Sequence, residues 1–147
     1  MMSSCDIQAT AVSYQGAAVL IQGKSGLGKT RLALQLIERG AKLIGDDCVH
    51  LFIKKNQLYC GAKENLKGVV EVRGLGLVKG LKVAKPTPVL CIVRLHKKMT
   101  ERFPKDQVIS ILDKKISVFD FYACETNDIQ VLYTIRLLKG RFSLLKE

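Results

Sequence analysis

The sequence predicts a single α/β domain in which strands far outnumber helices. Three observations carry this. Residues 23–30 read G-x-x-x-x-G-K-T between an apolar strand-like run and a helix-like run. Most other apolar segments are short and rich in β-branched residues, and only one further stretch, near the C-terminus, has helical spacing.

Composition bounds the rest. At 147 residues, 48% hydrophobic and 25% charged, the chain suffices for one well-formed core and is too short for two ordinary domains, so one domain over 1–147 is expected. The start lacks a basic region followed by an apolar run, and no apolar stretch approaches spanning length. A soluble, cytoplasmic protein without membrane contact is the expectation. Five cysteines are spread singly, with no C-x-x-C pair and only two histidines, which points to buried thiols in a reducing compartment and away from zinc or disulfides. The net charge of +11 raises nucleic acid as a partner, but the lysines are scattered without interleaved aromatic residues, which weighs against it. A bound nucleotide or an acidic protein partner could also draw on that charge.

In chain order, residues 7–14 and 17–21 read as an antiparallel hairpin turned at Gln15-Gly16. The loop follows, and then a helix with Leu32, Ala33, Leu36 and Ile37 on one face, stopped by Gly40. A short strand over 42–45 delivers Asp46-Asp47. Two more strands, 49–53 and 58–60, flank a turn at 54–57. Residues 69–78 form a strand broken by Gly74 and Gly76, and 79–88 a basic loop with two prolines. Residues 89–95 read as a buried strand, 99–106 as a charged connection, and 108–112 and 116–122 as further strands. The last element is a helix with Asn127 as N-cap, Gln130 at N3, and Ile129, Leu132, Tyr133 and the Arg136 stem facing inward, ended by Gly140. The total is eight or nine strands and two helices, a minority architecture for a phosphate-loop protein.

The loop has a direct physical reading. Gly23, Gly26 and Gly28 let the backbone curl with its N–H groups inward and leave room for a phosphate, beside Lys24, Ser25 and Leu27. Lys29 would reach the β/γ-phosphates, and Thr30, at the start of a helix whose dipole favours anions, is placed to ligate Mg²⁺. Asp46 and Asp47, at a strand end beside such a loop, suit metal ligation and proton abstraction; an Asx turn is the plainer alternative. Glu71 and Arg73 lie two apart on one face, suited to metal and phosphate or to a surface ion pair. Lys79, Lys82 and Lys85 could steady a transferring phosphoryl group or dock a partner, although a solvated loop is the plainer reading. His50 and His96 read as structural or surface residues.

Three blocks together resemble the C-terminal catalytic domain of bacterial HPr kinase/phosphorylase, in its short form without the N-terminal domain: residues 23–30, residues 39–47 (RGAKLIGDD) and residues 70–77 (VEVRGLGL). The third block is the most specific. The resemblance implies a strand-rich P-loop fold of the HPr kinase/phosphoenolpyruvate carboxykinase type, with a mixed sheet, one P-loop helix and a C-terminal helix. It implies an ATP- and Mg²⁺-dependent kinase that phosphorylates a serine of an HPr-like phosphocarrier, with phosphorolytic removal as the family's second activity, and thereby regulates carbon and nitrogen metabolism through the phosphotransferase system. It implies hexameric homo-oligomers. By position Lys29 and the loop serve the nucleotide, Thr30, Glu71 and Asp46 the metal, and Asp47 accepts the proton, with Arg73 in the same signature.

The departures are equally specific. Gln8 stands where the family usually has a catalytic histidine, and glutamine cannot titrate near neutral pH. The basic loop carries lysines where an arginine is expected, a point charge in place of a planar fork. Gln8 supports a rival reading, a degenerate nucleotide-binding sensor without turnover; Lys29, Asp47 and Glu71 together oppose it.

Overall fold

The computed structural model describes residues 3–101 and 105–145, so residues 102–104 of the expected 99–106 connection lie outside the described residues. In chain order the elements are β1 (Ser4–Ile7), β2 (Thr10–Tyr14), β3 (Ala17–Gln22), α1 (Lys29–Glu38), β4 (Lys42–Gly45), β5 (Val49–Lys54), β6 (Gln57–Ala62), β7 (Val70–Val72), β8 (Gly76–Val78), β9 (Thr87–His96), β10 (Gln107–Ile111), β11 (Lys114–Tyr122) and α2 (Asn127–Leu138). The described residues thus hold more strands than the sequence suggests. The two additions are β1, which lies almost wholly before the expected 7–14 strand and ends at its first residue, Ile7, and the division of the expected 69–78 strand in two.

The first division falls at Gln8-Ala9. β2 pairs antiparallel with β3, in the expected hairpin, whereas β1 leaves that partner and pairs with β5. The alternation of polar and apolar residues in Asp6-Ile7-Gln8-Ala9-Thr10 continues across the break, so periodicity alone gives no sign of the change of partner. The second falls at the paired glycines, where β7 and β8 form a separate small hairpin, with Gly74 and Gly76 at φ 86° and 118°, a region open to glycine without strain.

Nine strands form one branched sheet with the path β1-β5-β6-β9-β3-β2-β4, and β11, bearing β10, is attached to β9. β9 is the hub, parallel to both β3 and β11 and antiparallel to β6 at its start. Two cores lie on opposite faces of the central strands. On one, Leu32, Ala33 and Leu36 of α1 and Val131, Leu132 and Ile135 of α2 pack against Val19, Ile21, Cys91 and Val93. On the other, Leu20, Ile92 and Val118 meet Val49, Leu51 and Cys60 from the β5–β6 layer. Alternate residues of β3 and β9 serve alternate cores, which is why these strands are apolar throughout.

The C-terminal helix exists where expected but is rotated. Ile129 and Tyr133 are 46% and 55% exposed, whereas Asn127, Asp128, Val131 and Ile135 are buried. Polar anchors set this rotation. Asp128 takes a 2.8 Å ion pair from Arg39 at the end of α1, and Asn127 accepts the Cys124 N–H and donates to the Tyr122 carbonyl. Asn127 is therefore the first helical residue and Thr126 holds the cap position; the Asn127 side chain reaches back to Cys124 and Tyr122, and its amide also donates forward to Gln130 Oε1 at 2.6 Å. Arg136 lies over the exposed Tyr133 ring at 5.3 Å.

Among the five free cysteines, Cys60 and Cys91 are buried, one in each core, and burial pushes both thiols up to about 12. At pH 8 the thiolate fraction of either is then roughly one in ten thousand. Native protein treated with iodoacetamide at pH 8 should acquire label at Cys5, Cys48 or Cys124 and none at Cys60 or Cys91 until denaturant is added. Mass spectrometry of the peptides reads the result, and prompt native labelling of Cys60 or Cys91 would contradict this packing.

Candidate phosphate-loop site

The topology brings distant residues to one edge of the sheet. β4 is antiparallel to β2 and β2 to β3, so β3 and β4 end at the same edge, and β2 starts there. The loop leaves β3 at this edge, Asp46 and Asp47 leave β4 beside it, and Thr10 opens β2 between them. A cleft of about 750 Å³ runs along this edge. It is lined by Gly26, Gly28, Lys29 and Thr30 of the loop, by Asp46 and Asp47, and by Glu71 and Arg73 from the β7–β8 hairpin.

The loop geometry follows from its glycines. Gly26 and Gly28 sit at φ 86° and 94°, and Gly28 is the residue from which α1 starts, with no side-chain cap. The first N–H groups of α1 are therefore available to an anion, and no acidic residue stands in the first turn to oppose one. At Gly23 a Cβ would lie 3.0 Å from the Leu95 carbonyl, so β9 closely backs the start of the loop. The Lys29 ammonium donates to the Gly23 carbonyl at 2.6 Å, folding across the loop it belongs to. A phosphate would offer that ammonium a charged acceptor in place of a neutral one.

The acids are held in two different ways. Asp46 Oδ1 accepts from the Thr30 hydroxyl at 3.0 Å and from the Thr10 hydroxyl at 2.8 Å. Thr10 Oγ1 in turn accepts the Asp47 N–H at 3.3 Å, and the Asp47 carbonyl accepts the Ala9 N–H at 3.2 Å. Asp47 adopts φ 68°, a left-handed conformation that a short polar side chain tolerates better than most. Its own carboxylate is exposed and makes no hydrogen bond among the described residues. One acid is thus tied to the loop, and its neighbour is presented to the cleft.

The other expected residues divide clearly. Glu71 and Arg73 line the cleft, and neither forms an ion pair among the described residues. Glu71 lies on β7 and Arg73 in the turn just beyond it. Gln8 is not among the cleft-lining residues; its side chain is exposed, and its carbonyl accepts from Gln22 Nε2 at 3.3 Å. Lys79, Lys82 and Lys85 are exposed on a loop tied to β4 through the Ala84 N–H and the Leu43 carbonyl at 2.8 Å, and none lines the cleft. The sequence alone does not single out Thr10, which is 1% exposed and joins both acids. Its only signal is a polar β-branched residue opening an apolar strand. His96, expected as a structural or surface residue, places its Nε2 2.5 Å from Asp120 Oδ1 at the carboxyl end of β9.

Among the described residues no cluster of three His, Cys, Asp or Glu side chains is arranged as a metal cage. The oxygen donors present, the Thr30 hydroxyl and the carboxylates of Asp46, Asp47 and Glu71, fit Mg²⁺, which is commonly held by one or two carboxylates together with substrate phosphates and water.

A loop of this form on a strand-rich mixed sheet, faced by an acidic pair, defines a phosphate-loop domain. The model of the HPr Serine kinase C-terminal domain matches residues 1–121. The chain belongs to that family. It is 41% identical over 73 residues to the HPr kinase/phosphorylase of Bacillus subtilis (strain 168), a match covering 49% of this chain and 24% of that protein. It is 40% identical over 75 residues to the HPr kinase/phosphorylase of Mycoplasma genitalium, covering 48% and 24%. These matches span about a quarter of the length of those relatives. The Hpr(Ser) kinase/phosphatase of Coxiella burnetii shares the fold, with a TM-score of 0.82 over 93% of this chain and 97% of that one at 24% identity.

Thr10 gives a direct test of the site's construction. Thr10→Val removes the hydroxyl while keeping the shape, leaving the Asp47 N–H and one Asp46 contact unpaired, and should cost about 1–3 kcal/mol. Thr10→Ser should retain most of that stability. Chemical denaturation of the three proteins measures it, and a Thr10→Val protein as stable as the parent would show that the hydroxyl does not join the two acids.

Proposed function

We propose that the chain is an ATP-dependent serine protein kinase whose acceptor is an HPr-like phosphocarrier of a phosphotransferase system. The observation that carries this is the link from Thr30 through Asp46 and Thr10 to Asp47, which sets a free carboxylate at the mouth of a phosphate-binding loop. The relatives named HPr kinase/phosphorylase support the choice of acceptor.

In this reading the amides of Gly23 to Thr30 hold the β- and γ-phosphates, and Lys29 exchanges the Gly23 carbonyl for phosphate oxygens. Asp47 accepts the proton of the serine hydroxyl as its oxygen forms a bond to the γ-phosphorus. The bond between that phosphorus and the β–γ bridging oxygen breaks, and ADP leaves. Thr30, Asp46 and Glu71 would hold Mg²⁺, which neutralises charge on the phosphates. Arg73, on the same wall as Glu71, supplies a fork of donors for the transferring group. Gln8, outside the cleft lining, would contribute hydrogen bonding at most to an arriving acceptor. Phosphorolysis, in which inorganic phosphate takes the phosphoryl group from the phosphoserine to give pyrophosphate, needs a group that returns a proton to the departing serine oxygen, and a protonated Asp47 is placed to supply it.

A cytoplasmic setting agrees with the carrier as acceptor, and no helix among the described residues is long and apolar enough to cross a membrane. A homo-oligomer, a hexamer by family resemblance, would cover exposed apolar residues such as Ile129, Tyr133 and Leu138 of α2.

Because the reaction depends on positioning and charge neutralisation, Lys29→Ala should lower phosphate transfer to a purified HPr-like carrier by about a hundredfold or more. Asp47→Asn should bind MgATP within about twofold of the parent and lose transfer to a comparable extent. Labelled ATP and a phosphoserine readout decide the matter. Transfer retained in Asp47→Asn removes that residue from the proton-accepting role. A parent protein that binds MgATP without any transfer favours the sensor reading.

A further inference from the structure

One cation of the cleft stands apart from the residues assigned so far. Arg31 follows Thr30 directly in the first turn of α1, and it is exposed and lines the cleft. Helical side chains tilt toward the N-terminus, so a long one covers the turn before its own Cα. Arg31 reaches back by three residues. A Cβ at Gly28 would lie 2.8 Å from Arg31 Nη2, 3.1 Å from Cζ and 3.3 Å from Nε. The guanidinium is thus laid across the bare Cα of Gly28, in the space that glycine leaves open.

That space is at the mouth of the phosphate loop. The Leu32 N–H donates to the Gly28 carbonyl at 2.9 Å, closing the first turn of the helix, so the guanidinium sits beside the amides that would face an anion. Residues 31, 34, 35 and 38 share one face of α1 by helical spacing, and all four line the cleft together with Glu71 and Arg73 of the β7–β8 hairpin. Arg31 therefore belongs to the cleft wall and not to a remote surface. The other cations are differently placed. The Lys29 ammonium is folded onto the Gly23 carbonyl, and Lys79, Lys82 and Lys85, expected to steady a transferring phosphoryl group, lie outside the cleft lining. Among the described residues Arg31 forms neither an ion pair nor a side-chain hydrogen bond. Its donors are uncommitted.

An arginine suits this place for a reason that a lysine does not. The guanidinium stays charged, presents its N–H donors in one plane and can bond two phosphate oxygens at once. In the transfer, the serine oxygen bonds to the γ-phosphorus as the bond from that phosphorus to the β–γ bridging oxygen breaks, and the serine proton passes to Asp47. Negative charge then gathers on the departing ADP oxygen and on the transferring group. A cation already standing at the loop stabilises that charge and leaves the step unchanged itself.

We infer that Arg31 is a catalytic residue of this transfer, its guanidinium moving from the Gly28 surface onto the phosphate oxygens at the loop mouth. The inference rests on the kinase reading above and adds to it a residue that the loop motif does not mark, since that pattern ends at Thr30. Kinetics of transfer from MgATP to a purified HPr-like carrier, with MgATP affinity from calorimetry, test it. The side chain is exposed on a helix surface, so Arg31→Ala and Arg31→Lys should both unfold at the parent's denaturant midpoint. Arg31→Ala should lower kcat by about a hundredfold while MgATP affinity stays within about fivefold of the parent. Arg31→Lys should remain about tenfold or more below the parent in kcat, because a point charge cannot fork. Transfer by Arg31→Ala within about threefold of the parent overturns the inference and leaves the kinase reading intact. A loss confined to MgATP affinity, or full activity in Arg31→Lys, overturns it equally. A parent protein that binds MgATP and transfers nothing overturns the kinase reading itself, and a catalytic Arg31 with it.

Discussion

The site depends on one carboxylate oxygen. Asp46 Oδ1 accepts hydroxyls from Thr30, in the first turn of α1, and from Thr10, which opens β2, so a single atom joins the helix to the sheet edge. Thr10 passes the connection on by accepting the Asp47 N–H. This part-buried network, with each hydroxyl donating and the carboxylate only accepting, sets the distance between the loop and the acids in the absence of any ligand. Preorganisation of that kind matters for phosphoryl transfer, where little covalent chemistry is required of the protein and geometry supplies most of the rate.

Around this hub the fold divides its tasks. Two helices cover one face of the central strands and the β5–β6 layer covers the other, leaving the carboxyl ends of β3, β4, β9 and β11 at an open edge. β9 is central to both arrangements. Its apolar residues feed alternate cores, and its end backs Gly23 of the loop. The β7–β8 hairpin lies outside the main sheet and pairs only with itself among the described residues. It can therefore bring Glu71 and Arg73 to the cleft without constraining the strands beneath.

Much of this was legible in the sequence because it is local. The loop is eight consecutive residues whose glycines, lysine and threonine have fixed offsets, and Asp46-Asp47 follow a short apolar strand directly. What was not legible is what pairing over long separations decides. Thr10 is 36 residues from Asp46, and only the β2–β3–β4 order brings them together. The exchange of partner at Gln8-Ala9 is not marked by a turn signal, since neither glycine nor proline stands between β1 and β2. α2 is legible as a helix with Leu132 inward, but Ile129 and Tyr133 face outward, since its rotation is set by Asp128 meeting Arg39 from another helix. His96, isolated in the sequence, meets Asp120 only because β9 and β11 run in parallel.

The central claim is that the loop amides and the acidic pair act on one polyphosphate. Backbone ¹⁵N–¹H spectra recorded during a MgATP titration test it most directly. The account predicts large, saturable shifts at Gly26, Gly28, Lys29 and Thr30, with Asp46 and Asp47 moving at the same ligand concentration. MgATP binding that leaves those amides unmoved, or that moves the loop without the acids, would contradict it.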